Sequence, residues 1–144
     1  MNNVIIRDFD IPANDFTMAG EASSNVRKIL TQLGVSPPIV KRASIAMYEA
    51  EINAVIHGNG GKAHVEIDSS KVTIRISDEG PGIADLELAM QEGYSTAPDN
   101  IREMGFGAGM GLPNIKKHSD IMEVDTAVGK GTVVLITVYL SERT

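Results

Sequence analysis

Residues 72–77 alternate strictly. Val72, Ile74 and Ile76 fall on one side of an extended chain, and Thr73, Arg75 and Ser77 on the other. Just upstream, Val65 and Ile67 share one face while His64, Glu66 and Asp68 share the other, and Ser69-Ser70 is a two-residue turn candidate. Two adjacent strands, each apolar on one side only, describe a sheet that must be covered on a single face. The chain carries its own cover. Phe16, Ala19, Ala22, Val26, Ile29, Leu30 and Leu33 recur at helical spacing, with Asn14 or Asp15 as the expected cap and Gly34 as the stop. A second helix restarts at Ser36-Pro37-Pro38, with Ser36 as its expected cap. Its apolar stripe runs through Ile39, Ala43, Ala46 or Met47, Ala50 and Ala54, and Gly58-Asn-Gly-Gly61 ends it.

The remaining segments complete the plan. Residues 4–9 read as a short edge strand, and 84–91 as a short helix. Residues 112–118 read as a helix entered at Pro113, and 121–125 and 132–140 as strands. The last strand is apolar on both faces, through Val133, Val134, Leu135, Ile136 and Val138, so it should lie centrally. Residues 92–110 show little periodicity and several glycines, which at this length suits a functional or mobile segment. The result is one α+β domain over residues 1–144 with helices layered on one face of a sheet.

Composition excludes several classes of function. A formal net charge of -6 and a pI of about 5.0 repel a nucleic-acid backbone, and 4% aromatic content without Trp offers few stacking platforms. No cysteine is present for disulfides or thiolate metal sites. No segment is apolar for long enough to cross a bilayer, and the first residues lack a signal pattern. The expectation is a cytoplasmic protein without nucleic-acid or membrane partners.

Three motifs carry chemistry, in order. In Glu49-Ala-Glu-Ile-Asn53, Glu49 and Asn53 are about 40° apart around a helix axis and project together. An amide oxygen suits Mg²⁺, and a carboxylate beside it can take a proton from a hydroxyl. Alone, the pair also fits a solvated helix surface. Glu51 points off that face and reads as a plain surface charge. Asp78 follows a strand and precedes Gly80-Pro81-Gly82, where the backbone can approach a flat ligand and the carboxylate can accept an exocyclic amine. A tight turn whose Asp bonds its own backbone fits as well. Gly105, Gly107, Gly109 and Gly111 alternate just before a helix, whose N-terminus favours phosphate. A flexible connecting loop has the same composition. Ser95, Thr96 and Arg102 could meet a phosphate from within the irregular segment. His57, His64 and His118 have no metal-site spacing and read as solvent or helix-end residues.

In this order the motifs resemble the N, G1 and G2 boxes of the GHKL ATP-binding superfamily, which includes gyrase, the Hsp90 chaperones, histidine kinases and MutL. Gly129-Lys-Gly131-Thr132 is similar to the Gly-x-Gly-Thr that often completes that pocket. Asn53-Ala-Val-Ile-His57-Gly58, Glu92-Gly-Tyr-Ser-Thr96 and Gly109-Met-Gly111-Leu-Pro-Asn resemble the bacterial anti-sigma-factor and switch-protein serine kinases. Residues 97–106 are longer than that branch leads one to expect.

The resemblance implies a Bergerat-type two-layer α/β sandwich with a mixed, mostly antiparallel sheet and a mobile ATP lid at 92–110. It implies ATP and Mg²⁺ as cofactors, Glu49 as the base, Asn53 as the metal ligand and Asp78 as the adenine contact. Gly80, Gly82, Ile83, Met110, Leu112 and Thr132 would complete the nucleotide pocket with the glycines of the third motif. It implies a serine/threonine kinase acting on a STAS-domain anti-anti-sigma protein. Two other readings are a non-catalytic anti-sigma factor that sequesters a sigma factor, and a split histidine-kinase catalytic domain. Edge pairing of the first strand would give a homodimer.

Overall fold

The structure, a computed structural model, describes residues 4–13, 19–56, 60–80, 82, 90 and 111–141. The described elements are β1 (Ile5–Ile11), α1 (Glu21–Gln32), α2 (Pro37–Ile56), β2 (Gly61–Ile67), β3 (Lys71–Asp78), α3 (Gly111–His118), β4 (Ile121–Ala127) and β5 (Gly131–Tyr139). The strands form one sheet in the order β1-β2-β3-β5-β4, and every described pairing is antiparallel. β1 and β4 are the edge strands and β5 is interior, in keeping with the expected edge position of the first strand and central position of the last. The helices segregate to one face, giving the expected α+β two-layer arrangement.

Side-chain alternation sets that layering. Ala63, Val65 and Ile67 of β2, Val72, Ile74 and Ile76 of β3, and Val134, Ile136 and Val138 of β5 are all buried. They form a single apolar surface because the register aligns them, Val65 with Ile74 and Ile74 with Ile136. α2 lies on this surface and is flanked by α1 and α3. Its sandwiched position explains why its buried set is broad. Ala43, Ala46, Met47, Ala50, Ala54 and Val55 are all inside, so Ala46 and Met47 are both core residues rather than alternatives. The repeated alanines allow close approach of neighbouring elements.

The helix ends depart from the sequence expectations in instructive ways. α1 starts at Glu21, with Gly20 as its N-cap residue at φ 93°, so neither Asn14 nor Asp15 caps it. Residues 14–18 lie outside the described residues, Phe16 among them. The C-terminus does end at Gly34 (φ 81°), where the Gly34 and Val35 N–H groups return to the Thr31 and Leu30 carbonyls in a Schellman motif. Ser36 precedes α2, but it is the Ser36 carbonyl that accepts the Ile39 and Val40 N–H groups. Its hydroxyl is buried without a partner, so it provides no side-chain cap. Pro38 lacks the donor at the second helical position, and the Ile39 N–H at the third is taken by the Ser36 carbonyl. The expected helix at 84–91 lies outside the described residues except for Met90.

Candidate functional site

α2 carries the first motif, and its two halves of polar chemistry point in opposite directions. Glu49 and Asn53 are both half-buried, one helical turn apart. Burial pushes the Glu49 carboxyl above its ordinary range. A hydrogen bond from the Asn114 side chain and the nearby His118 ring, both on α3, work against that push. His118 in turn places Nδ1 2.8 Å from the Asn114 carbonyl oxygen. A carbonyl only accepts, so that ring nitrogen is the donor. His118 thus has the helix-end role among those its sequence position allowed. It braces the turn that presents Asn114 to Glu49.

Glu51 corrects the sequence reading. It is 2% exposed rather than a surface charge. Its carboxylate accepts the N–H groups of Gly20 at 2.9 Å, Ala22 at 3.3 Å and Ser23 at 3.0 Å. These are orphan donors of the first turn of α1, which has no side-chain cap of its own. A carboxylate from the neighbouring helix does the work of the missing cap and complements the helix dipole. Gly20 suits this junction because its φ of 93° is a left-handed conformation that L side chains rarely adopt. Two residues along a helix turn the side chain through about 200°, which is why Glu51 faces α1 while Glu49 faces α3.

Asp78 closes β3 and sits between two glycines. In register, Gly61 of β2 lies on one side of it and Thr132 of β5 on the other. A Cβ at Gly61 would fall 1.9 Å from the Ser77 carbonyl oxygen, and one at Gly131 would fall 2.1 Å from that of Asp78. Only glycine lets the three strands approach this closely. Asp78 Oδ1 accepts the Gly80 N–H at 2.9 Å and the Thr132 N–H at 3.2 Å. Both of these bonds fall on one oxygen, so the local turn and a second, external acceptor role are compatible. Thr132 is buried and its hydroxyl lies 2.9 Å from that of Thr126. Gly80 is buried, and Gly82 adopts φ 79°.

α3 begins at Gly111, and Leu112 and Ile115 fix it in the core. Lys116, Lys117 and His118 occupy its last turn, where cations suit the dipole. Ile83, Ser95, Thr96, Arg102, Gly105, Gly107, Gly109 and Met110 lie outside the described residues. The fold brings the rest into one region. α2 crosses β3 and β5 and packs along α3, and the chain leaving α2 enters β2 at Gly61, beside Asp78. Sequence reasoning missed Asn114 as a contact of Glu49, although the residue stood inside a quoted motif. It also missed Gly61, whose signal was a second glycine directly after a helix stop.

Comparison with known proteins bears on the fold and the family. The family model described as histidine kinase-, DNA gyrase B-, and HSP90-like ATPase matches residues 39–143. The chain is 37% identical over 113 residues to an anti-sigma F factor of Thermoanaerobacter sp. (strain X514), covering 74% of this chain and 76% of the relative. It is 32% identical over 127 residues to the anti-sigma F factor of Bacillus licheniformis, covering 84% of each. Among solved structures, the RsbU and RsbW domains of Rv1364c from Mycobacterium tuberculosis superpose with a TM-score of 0.65 at 16% identity, over 97% of this chain and 34% of that one. The mycobacterial sensor histidine kinase MprB superposes with a TM-score of 0.53 at 18% identity, over 94% and 97%. The structural matches speak to the fold, and the sequence matches to descent. The chain belongs to the histidine kinase-, DNA gyrase B-, and HSP90-like ATPase family and, within it, to the anti-sigma factor group.

Proposed function

We propose that this protein is an ATP-dependent serine/threonine kinase that phosphorylates a STAS-domain antagonist in a sigma-factor or stress-switch pathway. The observation that carries this reading is Glu49: a half-buried carboxylate one helical turn before Asn53, on a helix packed against α3. Its raised pKa suits a group that must take a proton near neutral pH. Adenine would meet the second oxygen of Asp78, between Gly80, Gly82, Ile83, Leu112 and Thr132. The phosphates would meet Gly105, Gly107, Gly109, Met110 and Gly111 at the approach to α3, with Ser95, Thr96 and Arg102 contributing from the preceding segment.

Asn53 would hold Mg²⁺ through its amide oxygen. Among the described residues no group of three His, Cys, Asp or Glu side chains could hold a metal by itself, so oxygens of the nucleotide would supply the other ligands. The cation would offset phosphate charge there. The partner's hydroxyl oxygen forms a bond to the γ-phosphorus, its proton passes to Glu49, and the bond to the β-phosphate oxygen breaks to release ADP. Little covalent work falls to the protein, and orientation of Glu49 and neutralisation of charge dominate.

The test is transfer of labelled γ-phosphate from ATP to a serine or threonine of a STAS-domain protein encoded nearby. Absence of transfer to any such protein, with ATP binding intact, overturns the kinase reading. Acid-labile phosphate on the partner would instead indicate a split histidine-kinase domain. A second reading is a non-catalytic anti-sigma factor whose shape is set by ATP. The relatives' name, anti-sigma F factor, favours it. Glu49→Ala would then leave sigma-factor binding unchanged. Homodimer formation through β1, where Ile6 and the preceding Val4 are exposed, would appear as a doubled mass in sedimentation.

A further inference from the structure

Three stretches of backbone converge where the chain passes from α2 into β2. The Gly60 N–H donates to the Ala54 carbonyl at 2.9 Å, which ties this point to the residue directly after Asn53. Gly60 is buried and has φ 82°. A Cβ on it would fall 2.5 Å from the Ile11 carbonyl oxygen and 2.8 Å from the Ala13 nitrogen. Gly61 is enclosed from the other side: a Cβ there would fall 1.9 Å from the Ser77 carbonyl oxygen and 2.9 Å from the Asp78 Cα. All four neighbours are backbone atoms, which cannot swing aside as the end of a long side chain can. In register, Gly61 stands between Ile11 of β1 and Asp78 of β3. The glycine pair is therefore wedged between two strand ends and hydrogen-bonded to the helix that carries Asn53.

We propose that Gly60 and Gly61 are positioning residues that set the separation of Asn53 from Asp78, so that both engage one nucleotide at once. This rests on the reading of Asn53 as the metal ligand and Asp78 as the adenine contact. A nucleotide has a limited reach from its base to its phosphates. Contacts at its two ends reinforce each other only where the spacing lets both form together, and the gain is lost where it does not. The route from Asn53 to Asp78 is short: Ala54 accepts from Gly60, and Gly61 lies against Asp78. A side chain at Gly61 must push β2 and the end of β3 apart, since the atoms it meets are main chain. Asn53 and Asp78 would then both be present but no longer spaced for the same molecule.

The experiment measures ADP affinity by calorimetry, once with Mg²⁺ and once with a chelator in its place. The ratio of the two affinities reports whether the metal ligand and the adenine contact act on one molecule. Partial unfolding lowers both affinities alike and leaves the ratio where it was, so a merely structural role does not move it. In the wild type Mg²⁺ should strengthen binding by roughly tenfold or more, and Asn53→Ala should abolish that gain. In Gly61→Ala the gain should shrink to about twofold or less, although Asn53 is intact. Gly34→Ala is the control. Gly34 has φ 81° and open space where a Cβ would stand, so the variant carries a left-handed backbone penalty far from the junction and should keep the full gain.

A full Mg²⁺ gain in Gly61→Ala overturns the inference and leaves the nucleotide reading standing. An equal loss of the gain in Gly34→Ala overturns it as well. A gain that survives Asn53→Ala removes Asn53 as the metal ligand, and the inference falls with that reading. If Gly61→Ala does not fold, amide hydrogen exchange of the wild type decides. The Gly60 N–H should be protected like the amides of buried Ala54 and Val55, as a rigid junction requires, and exchange at the rate of an open loop overturns the inference.

Discussion

The Glu51 carboxylate accepts the Ser23 backbone N–H at 3.0 Å, joining two helices through residues 28 positions apart. With its bonds to Gly20 and Ala22, this one side chain closes the start of α1. Glu51→Ala leaves buried donors without an acceptor and should cost about 2–4 kcal/mol in chemical denaturation. A true surface charge would cost less than about 0.5 kcal/mol, so the measurement separates the two readings sharply. Glu51→Gln retains one oxygen and should fall between.

Glu49→Gln should raise stability while removing activity. Burial raises the Glu49 pKa, with Asn114 and His118 opposing, so the native state holds that proton more tightly than the unfolded chain. Stability therefore falls as pH rises from the ordinary carboxylate value through the folded one. The uncharged variant should be the more stable protein at neutral pH, and the advantage should vanish in acid below the unfolded pKa. Paired urea titrations at several pH values check the sign. Phosphotransfer should drop by roughly 10²–10⁴-fold.

Asp78→Asn should separate folding from nucleotide recognition. An amide oxygen in the Oδ1 position still accepts the Gly80 and Thr132 N–H groups, so the melting temperature should change little. The other position becomes an NH₂, which opposes the amine of adenine. ATP affinity by calorimetry should fall on the order of 10–100-fold. Unchanged affinity would remove Asp78 from the pocket.

Gly129 and Gly131 offer an internal comparison at the β4–β5 turn. Both have positive φ, at 82° and 85°, but only Gly131 faces backbone, with Asp78 O 2.1 Å from a Cβ built there. Gly129→Ala should cost about 1–2 kcal/mol, the ordinary left-handed penalty. Gly131→Ala adds a collision with the strand that ends in Asp78, and should lower both stability and ATP binding. Thermal melts of the two variants, together with nucleotide titrations, check the ordering.

His64 on the uncovered face of the sheet should titrate above an ordinary histidine. A hydrogen bond to Asp8 at 2.6 Å raises its pKa most, slight burial works against it, and a bond to Glu66 at 3.2 Å adds to the rise. Its contribution to stability is therefore complete below the unfolded pKa and disappears as pH climbs through the folded one. Imidazole NMR should show the upward displacement, and Asp8→Asn should reduce it. The exposed position keeps the stability change small.

The sequence alone determined whatever depends on neighbours a few residues apart. Alternation at 72–77 defined which face of β3 is buried, steps of three and four located α1 and α2, and Pro113 marked α3, although α1 begins at Glu21 rather than just after Asn14 or Asp15. The spacing of Glu49 and Asn53 was legible for the same reason: helix geometry converts four positions into one face. The tertiary structure decided what depends on distant partners. Glu51 meets Ser23 across 28 positions, and Asp78 meets Thr132 across 54, so no local pattern announces either bond. A polar residue on a helix reads as solvated until something is known of what covers it. Here α1 takes up one carboxylate while the other stays half-buried, and that difference, set by packing, separates a structural glutamate from a candidate base two residues away.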